Sequence, residues 1–427
     1  MYVNLCKKKV AVYTLGCKVN QYESDSMQDL LASEGCEVVA FDDAADIYII
    51  NTCSVTNMAE RKSRQIINRA RKRNPSSVVV AAGCYVQAAA EELKNNLAVD
   101  ILVGNNRKKD MARILDEFLA NREPLDTLID INAEHEYESM HMDKPREHCR
   151  AFVKVQDGCN NFCTYCIIPY TRGRIRSRLL SEVVLEVENL GKQGVREIVI
   201  TGINLSSYSD DEGHDLLDLI QAVSNVDTIL RVRMGSLEPR VITDRFLSGI
   251  SENKKVCPHF HLSLQSACNE TLKRMNRHYT IEEYMETCEL IRKYYDRPAI
   301  TTDVIVGFPG ETDEEFETTR ANLEKLNLYE MHIFKYSRRK GTLADTMPDQ
   351  IPDSTKEQRS NILLEMTKRH KEAYENSFSG EEVEILVEEH ELKDGVCYMK
   401  GHTDRYILVN KEAREGSEVN KIEKVTL

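Results

Sequence analysis

Cys159, Cys163 and Cys166 stand in the stretch DGCNNFCTYCIIPYTRGRIRSR with the spacing C-x3-C-x2-C. Three thiolates on one short loop are one ligand short of a closed tetrahedral site. Soft sulfur ligands select zinc or an iron–sulfur cluster, and a cluster held by three of them keeps one iron open to a substrate or cofactor. Zinc sites usually add a second C-x2-C half or histidines at fixed offsets, and none follows within reach. The iron–sulfur reading is preferred, with a zinc knuckle as the alternative.

A second set of thiols is spread over the first hundred residues. Cys17, Cys53 and Cys84 each close an apolar run, VAVYTLGC, DIYIINTC and SVVVAAGC, and helical patterns follow near 22–34, near 57–73 and from about 86. Strand, turn and helix in regular alternation predict a parallel α/β unit. Parallel strands point the same way, so the three thiols are expected at one rim, the carboxyl edge where open α/β sheets bind ligands. A second three-cysteine cluster site follows. Its alternative is three small buried hydrophobes, since free cysteine packs well.

The elements that position these thiols fall into regions. Residues 8–120 form the first α/β domain, and the polar, poorly periodic stretch 121–148 reads as a linker. Over 149–372, strand-like runs at AFVKVQ, REIVITG, ILRVRMGS, HFHLSLQ, ITTDVIVGF and YEMHIFKY recur, each followed by a helical pattern. Six β/α units predict a partial barrel with its site at the carboxyl strand ends, and the Cys159–Cys166 loop follows the first strand. From 377 to 427 short alternating strands predict a small all-β barrel.

Two clusters of basic residues stand out. Arg61, Lys62, Arg64, Arg69, Arg71, Lys72 and Arg73 fill one arc of the helix after Cys53, with Ile66, Ile67 and Ala70 on the other. Asn57 and Glu60 are expected to start that helix as a capping box. Arg172, Arg174, Arg176 and Arg178 alternate after the cysteine loop. Arg61, Lys62, Arg64, Arg69, Arg172, Arg174 and Arg176 are the expected contacts to a nucleic-acid backbone. The alternative for any such run is a solvated face.

The bulk numbers frame this. Lys plus Arg count 57 against 70 for Asp plus Glu, a net charge of −13, which excludes nonspecific nucleic-acid binding over the whole surface but permits a local basic patch. No apolar run nears the roughly 18 residues of a membrane span, and MYVNLCKKKV lacks a signal-peptide core, so a cytoplasmic protein without membrane contact is expected. Thirteen cysteines, an odd number, fit a disulfide framework poorly.

The C-x3-C-x2-C spacing resembles the radical S-adenosylmethionine (radical SAM) superfamily. That resemblance implies that the open iron is chelated by S-adenosylmethionine, which one electron cleaves to a 5′-deoxyadenosyl radical. Four further segments fit cofactor contacts at the strand ends: Thr201, Gly202 and Asn204 in TGIN, Ser236 and Glu238 in MGSLEPR, Gln265 in LSLQS, and Ile305, Gly307 and Gly310 in DVIVGFPGET. TGIN departs from the superfamily's Gly-Gly-Glu turn, and Asp303 replaces the first glycine of the element that lies against adenine.

TLGCKVNQYES, NTCSVTNMAERKSRQ, GCYVQ, GCNNFCTYCIIPYTRGRIRSR, LSLQSACNETLKRMNRHY and FKYSRRKGTLA together resemble the methylthiotransferases, most closely the bacterial branch acting on N6-threonylcarbamoyladenosine in transfer RNA. The resemblance implies a radical SAM barrel, a carboxy-terminal TRAM-like β-barrel and two 4Fe–4S clusters, an auxiliary one on Cys17, Cys53 and Cys84 and the radical SAM one on Cys159, Cys163 and Cys166. It implies two S-adenosylmethionine molecules per turnover, a tRNA substrate, a one-electron donor such as flavodoxin or ferredoxin, and a monomer. The reaction would place methylthio on carbon 2 of the adenosine just 3′ of the anticodon. That C–H bond is neither acidic nor activated, so acid–base groups cannot do this work and a cofactor radical must. Alternatives are the isopentenyladenosine branch, a branch acting on a ribosomal protein, and a non-catalytic iron–sulfur RNA-binding protein. Ala267 replaces an expected glycine. The TRAM-like segment counts 12 acidic against 7 basic residues, which weighs against RNA contact unless Lys400, Arg405, Lys411 and Lys421 share a face. The seven remaining cysteines are expected to be packing residues.

Overall fold

Ile47–Thr52 and Val78–Gly83 are buried at every position, the signature of strands covered on both faces by helices. In the computed structural model, which describes residues 2–94, 98–123, 125–143 and 149–427, they are the centre of a six-stranded parallel sheet. Its strands are β1 (Lys9–Thr14), β2 (Glu37–Val39), β3 (Ile47–Thr52), β4 (Val78–Gly83), β5 (Ile101–Val103) and β6 (Leu125–Asp126), in the order β2-β1-β3-β4-β5-β6. Helix α1 (Lys18–Ser33) begins directly after Cys17, four residues earlier than its apolar pattern suggests. Helix α2 (Asn57–Arg73) lays Ile66, Ile67 and Ala70 on the sheet. Helix α3 is a single short turn, Cys84–Ala88, followed by Ala90–Lys94.

The described residues divide into two compact units. The first comprises Met1–Lys144, Lys154–Arg178 and Ser337–Asp345. It therefore includes the second half of β7 (Arg150–Asp157), the Cys159–Cys166 loop and β8 (Arg176–Ser177), which pairs antiparallel with the end of β7. Part of the stretch read as a linker adds strand β6 to the sheet and buries Ile131, Met140 and Met142, while residues 124 and 144–148 of it lie outside the described residues.

The second unit carries the β/α repeats. β9 (Glu197–Gly202) and β10 (Arg231–Met234) are parallel, and β11 (Ser236–Leu237), β12 (His259–Leu262), β13 (Ala299–Val306) and β14 (Glu330–Lys335) form a further parallel sheet in that order. The intervening helices start where hydroxyl or Asp caps stand three residues before an acid: Asp215 with Asp218, Thr280 with Glu283 and Thr312 with Glu315 make reciprocal capping boxes. The long helix Asp353–Asn376 packs on β14, with the Met331 N–H donating to Thr367 Oγ1 at 2.7 Å. The unit ends in an antiparallel, curled sheet of β15 (Glu382–Lys393), β16 (Val396–Thr403), β17 (Leu408–Glu412) and β18 (Ile422–Thr426), ordered β17-β16-β15-β18, with a bulge between Val387 and Glu389. Among the described residues, no helix is long and apolar enough to cross a membrane.

Candidate metal centre and cofactor-binding strand ends

Cys17, Cys53 and Cys84 leave β1, β3 and β4, three adjacent parallel strands, at the same rim. Gly16, at φ +103°, lets the first loop close: a Cβ there would lie 2.8 Å from Cys53 Sγ. Cys17 is the N-cap of α1 and makes no side-chain cap bond, and Cys84 is the first residue of α3, so two of the thiols stand at the positive end of a helix. Burial pushes the Cys53 thiol up to about 12, and the neighbouring Cys84 and Cys17 add to the shift. Such a thiol is protonated at neutral pH until a metal takes the sulfur. Three sulfurs within one another's field and little besides sulfur to bind a hard cation make a donor set that fits a soft metal or an iron–sulfur cluster.

The Cys159–Cys166 loop is built in the same unit. Gly158 N–H donates to Asp157 Oδ1 at 2.8 Å, the Gln156 side chain donates to Gly158 O at 2.7 Å, and Cys159 N–H donates to Gly173 O at 3.1 Å. Ala344 N–H reaches Thr164 O at 2.8 Å, so the segment Ser337–Asp345 clips the loop from outside. Cys163 is buried and Cys159 and Cys166 are half-buried, which leaves the loop's face open to a ligand. The cluster chemistry of C-x3-C-x2-C is compatible with this placement.

The arginines after that loop do not form the expected nucleic-acid face. Arg172, Arg176 and Arg178 are buried and only Arg174 is half-buried, lying over the Phe162 ring at 4.6 Å. Arg172 pairs with Glu23 at 2.8 Å and Asp157 at 3.0 Å, and its Nε–H points at Cys84 Sγ at 3.3 Å. Arg172 closes the Ile168–Thr171 helix and Arg176 opens the two-residue strand β8, so the two are buried for separate local reasons. Arg172 and Arg176 are thus corrected from backbone-binding residues to internal ones.

On α2 the basic arc is partly satisfied within the protein. Arg64 donates to Tyr85 Oη at 2.8 Å, Arg71 pairs with Asp100 at 2.5 Å, and Arg69 and Arg73 both pair with Asp42. Arg61, Lys62 and Lys72 remain exposed. The helix is capped by Thr56, whose hydroxyl accepts from Ala59 N–H at 3.1 Å, and not by Asn57. Asn57 and Glu60 instead receive Arg339 of the FKYSRRKGTLA motif, at 2.8 Å for Asn57.

The expected cofactor residues lie in the second unit. Thr201 and Asn204 are buried at the end of β9, and Gly235, whose N–H donates to Ile200 O at 2.8 Å, brings the β10–β11 junction with Ser236 beside them. Ser236 is exposed, and Glu238 lies 3.5 Å from Arg277. Gln265, at φ +73°, exchanges backbone bonds with Asp303 and Ile305, so Gln265 and Ile305 are neighbours. Gly307 has a different local reason from an open approach. Its φ is +70°, its N–H donates to Glu311 at 2.6 Å, and a Cβ there would lie 2.3 Å from Lys356 Cγ. Gly310, also at positive φ, is half-buried beside Arg274.

Sequence reasoning missed one constellation here. His261, Asp303 and His332 occupy one layer of β12, β13 and β14, with His261 Nε2 3.3 Å from Asp303, His261 Nδ1 2.9 Å from Thr301 Oγ1, and the two imidazoles stacked at 5.6 Å. Met331 is buried and His332 exposed, as alternation along β14 puts the two side chains on opposite faces. The signal was period-2 alternation, which puts His259 and His261, Thr301 and Asp303, and Glu330 and His332 on one face of their strands. The cysteine expectation also needs amendment. Cys36, Cys149, Cys257, Cys268 and Cys288 are buried, but Cys6 and Cys397 are exposed.

Comparison with known proteins places this geometry. Residues 153–323 match the Radical SAM superfamily, and residues 9–104 match the uncharacterized protein family UPF0004. The chain is 39% identical to a threonylcarbamoyladenosine tRNA methylthiotransferase, MtaB, of Aquifex aeolicus, over 98% of this chain and 100% of that one. It is 37% identical to the MtaB of Bacillus subtilis, covering 98% and 93% of the two chains. A tRNA-2-methylthio-N(6)-dimethylallyladenosine synthase of Moorella thermoacetica is 37% identical over 90% of this chain and 87% of its own. Among solved structures, the radical S-adenosylmethionine methyltransferase TsrM of Kitasatospora setae superposes with a TM-score of 0.59 over 77% of this chain and 73% of TsrM at 16% identity, a likeness of fold.

Proposed function

Because the chain belongs to the family of radical SAM tRNA methylthiotransferases, we propose that it methylthiolates carbon 2 of N6-threonylcarbamoyladenosine next to the anticodon, giving 2-methylthio-N6-threonylcarbamoyladenosine. The observation that carries this reading is the pair of three-cysteine sets in one compact unit. Cys17, Cys53 and Cys84 hold the auxiliary 4Fe–4S cluster, and Cys159, Cys163 and Cys166 hold the one that takes S-adenosylmethionine. These groups, when bound, supply the one-electron chemistry and the sulfur that no side chain can supply.

The chain's own residues do the rest. Gly16 and Asn20 bring the Cys17 and Cys53 loops together, because Asn20 Nδ2 donates to Leu15 O at 2.7 Å and to Thr52 O at 3.0 Å. Thr201, Asn204, Ser236, Glu238 and Gln265 offer backbone and side-chain groups to the amino acid and ribose of S-adenosylmethionine, and Ile305 an apolar surface to adenine. Arg61, Lys62 and Lys72 are exposed cations for tRNA phosphates. The names of the Aquifex and Bacillus relatives support the threonylcarbamoyl substrate, and the Moorella relative supports dimethylallyladenosine as the second reading.

The test is anaerobic reconstitution with iron and sulfide, followed by reductant, S-adenosylmethionine and tRNA from a strain lacking the modification, with nucleosides read by mass spectrometry. The threonylcarbamoyl product is expected. Methylthio on dimethylallyladenosine alone would keep the reaction and overturn the substrate.

A further inference from the structure

Arg172 is the residue on which the three auxiliary cysteine loops meet. Its guanidinium is fully buried, and every donor direction is used: Nε to Cys84 Sγ at 3.3 Å, Nη1 to Glu23 at 2.8 Å and Asp157 at 3.0 Å, Nη2 to Asn20 Oδ1 at 2.6 Å and Glu23 at 3.1 Å. Asn20 passes that contact on to the carbonyls of Leu15 and Thr52, which precede Cys17 and Cys53. One arginine therefore touches the sulfur of Cys84 directly and the loops of the other two cysteines through a single amide. The same residue ends the Ile168–Thr171 helix that leads out of the Cys159–Cys166 loop.

The charges around it do not balance among themselves. Lys108 pairs with Glu23, Lys154 with Glu23 at 2.8 Å and Asp157 at 2.6 Å, and Arg176 lies 3.9 Å from Asp157. With Glu138, also buried and facing Lys154 and Lys108, four buried cations meet three buried carboxylates among the described residues, and the half-buried Glu134 acts on Arg176 from outside. Burial favours the neutral form of Glu138, which widens the excess, while Arg172, Lys108 and Lys154 hold Glu23 ionised against its own burial. Surplus positive charge in a water-free interior is costly unless an anion joins it. Ligation strips the protons from three cysteines and so brings that anion to this spot.

We propose that Arg172, with Lys108 and Lys154 behind it, is the counter-charge of the cluster at Cys17, Cys53 and Cys84, and that its hydrogen bond to Cys84 sets that cluster's reduction potential. The proposal rests on the reading that these cysteines hold a cluster. Hydrogen bonds to ligating sulfur and positive charge nearby are the protein's levers that raise such a potential, and negative charge lowers it. Arg172 acts through the ligand and is a positioning residue.

The test uses the full-length chain with Cys159, Cys163 and Cys166 changed to Ala, so that iron can be held only by the auxiliary set. After anaerobic reconstitution, a redox titration followed by electron paramagnetic resonance gives its midpoint potential, with circular dichroism checking the fold. Arg172→Lys keeps the charge toward Glu23 and Asp157 but removes the Nε–H, and a more negative potential is expected. Glu23→Gln removes a negative charge without touching sulfur, and a more positive potential is expected. An unmoved or raised potential in Arg172→Lys with iron retained overturns the proposal. If Arg172→Lys does not fold, Glu23→Gln decides, and an unmoved or lowered potential there overturns it. A parent that binds no iron overturns the underlying reading itself, a result distinct from either shift.

Discussion

At the scale of single residues, the site is a matter of what surrounds each sulfur. Cys53→Ala is expected to lower iron from about eight to about four atoms per reconstituted chain, and Cys163→Ala to do the same from the other set, as measured by iron analysis. A value unchanged at about eight in either variant would break the assignment. Glu197 shows the same logic of burial away from the metal. Burial alone would raise its carboxyl, but Arg233 at 3.0 Å and Arg150 at 2.8 Å hold it down, from 4.5 to about 2. Its stabilisation is therefore fully present above pH 4.5 and lost as pH falls through about 2. Glu197→Gln leaves two arginines buried without their carboxylate and is expected to cost about 3–5 kcal/mol in denaturant melts at neutral pH. The penalty should shrink on acidification, and a penalty unchanged below pH 3 would show that the pairing does not matter.

Among elements, α2 does two jobs on two faces. Ile66, Ile67 and Ala70 pack on the parallel sheet, while the opposite face carries the cations. Thr56→Ala removes its cap and should cost about 1 kcal/mol of stability. The cations divide by partner. Arg64, Arg69, Arg71 and Arg73 are held by Tyr85, Asp42 and Asp100, so Arg61 and Lys62 are the better probes of tRNA contact. Reversing Arg61 and Lys62 to Glu should weaken tRNA binding and flatten its dependence on log salt by about 0.9 per lost duplex phosphate contact. Binding with the same affinity and the same slope would assign the arc to solvent.

For the whole molecule, the carboxy-terminal sheet is less a separate RNA module than a part of the second unit. Arg231 donates to His402 O at 2.7 Å and Glu384 O at 2.9 Å, Arg233 donates to Asp404 O at 2.9 Å, and both Arg150 and Arg233 lie over the Tyr406 ring at 5.3 and 4.8 Å. Three of the four cations considered for an RNA face are paired locally, Lys400 with Glu389 at 2.5 Å, Arg405 with Asp404 at 3.1 Å and Lys421 with Glu418 at 3.6 Å, while Lys411 is exposed. Tyr406→Ala should accordingly destabilise the intact protein and lower its thermal midpoint through lost ring packing, at a cost below the about 3–5 kcal/mol of a fully buried aromatic because this ring is part-exposed. A midpoint unchanged by the substitution would mean that the ring adds nothing to docking.

The sequence by itself determined the parallel strands, because uninterrupted Val and Ile runs bounded by glycine and followed by 3.6-period helices have few other solutions. It determined the two cysteine sets for the same reason, since strand direction alone carries Cys17, Cys53 and Cys84 to one rim. It placed a helix start near Asn57 with Glu60, but the cap is Thr56, one residue earlier. Only the tertiary structure decided which charges face inward. Asn20 and Glu23 on α1, and Arg172 and Arg176 after the cysteine loop, have the polar pattern of a wetted surface, yet they are buried because partners distant in sequence supply their hydrogen bonds and ion pairs. His261, Asp303 and His332 are likewise brought together by strand register, across gaps that no linear pattern spans. Local propensity is written residue by residue, whereas the free energy of a buried ion pair belongs to two residues at once and exists only when the fold has brought them within reach.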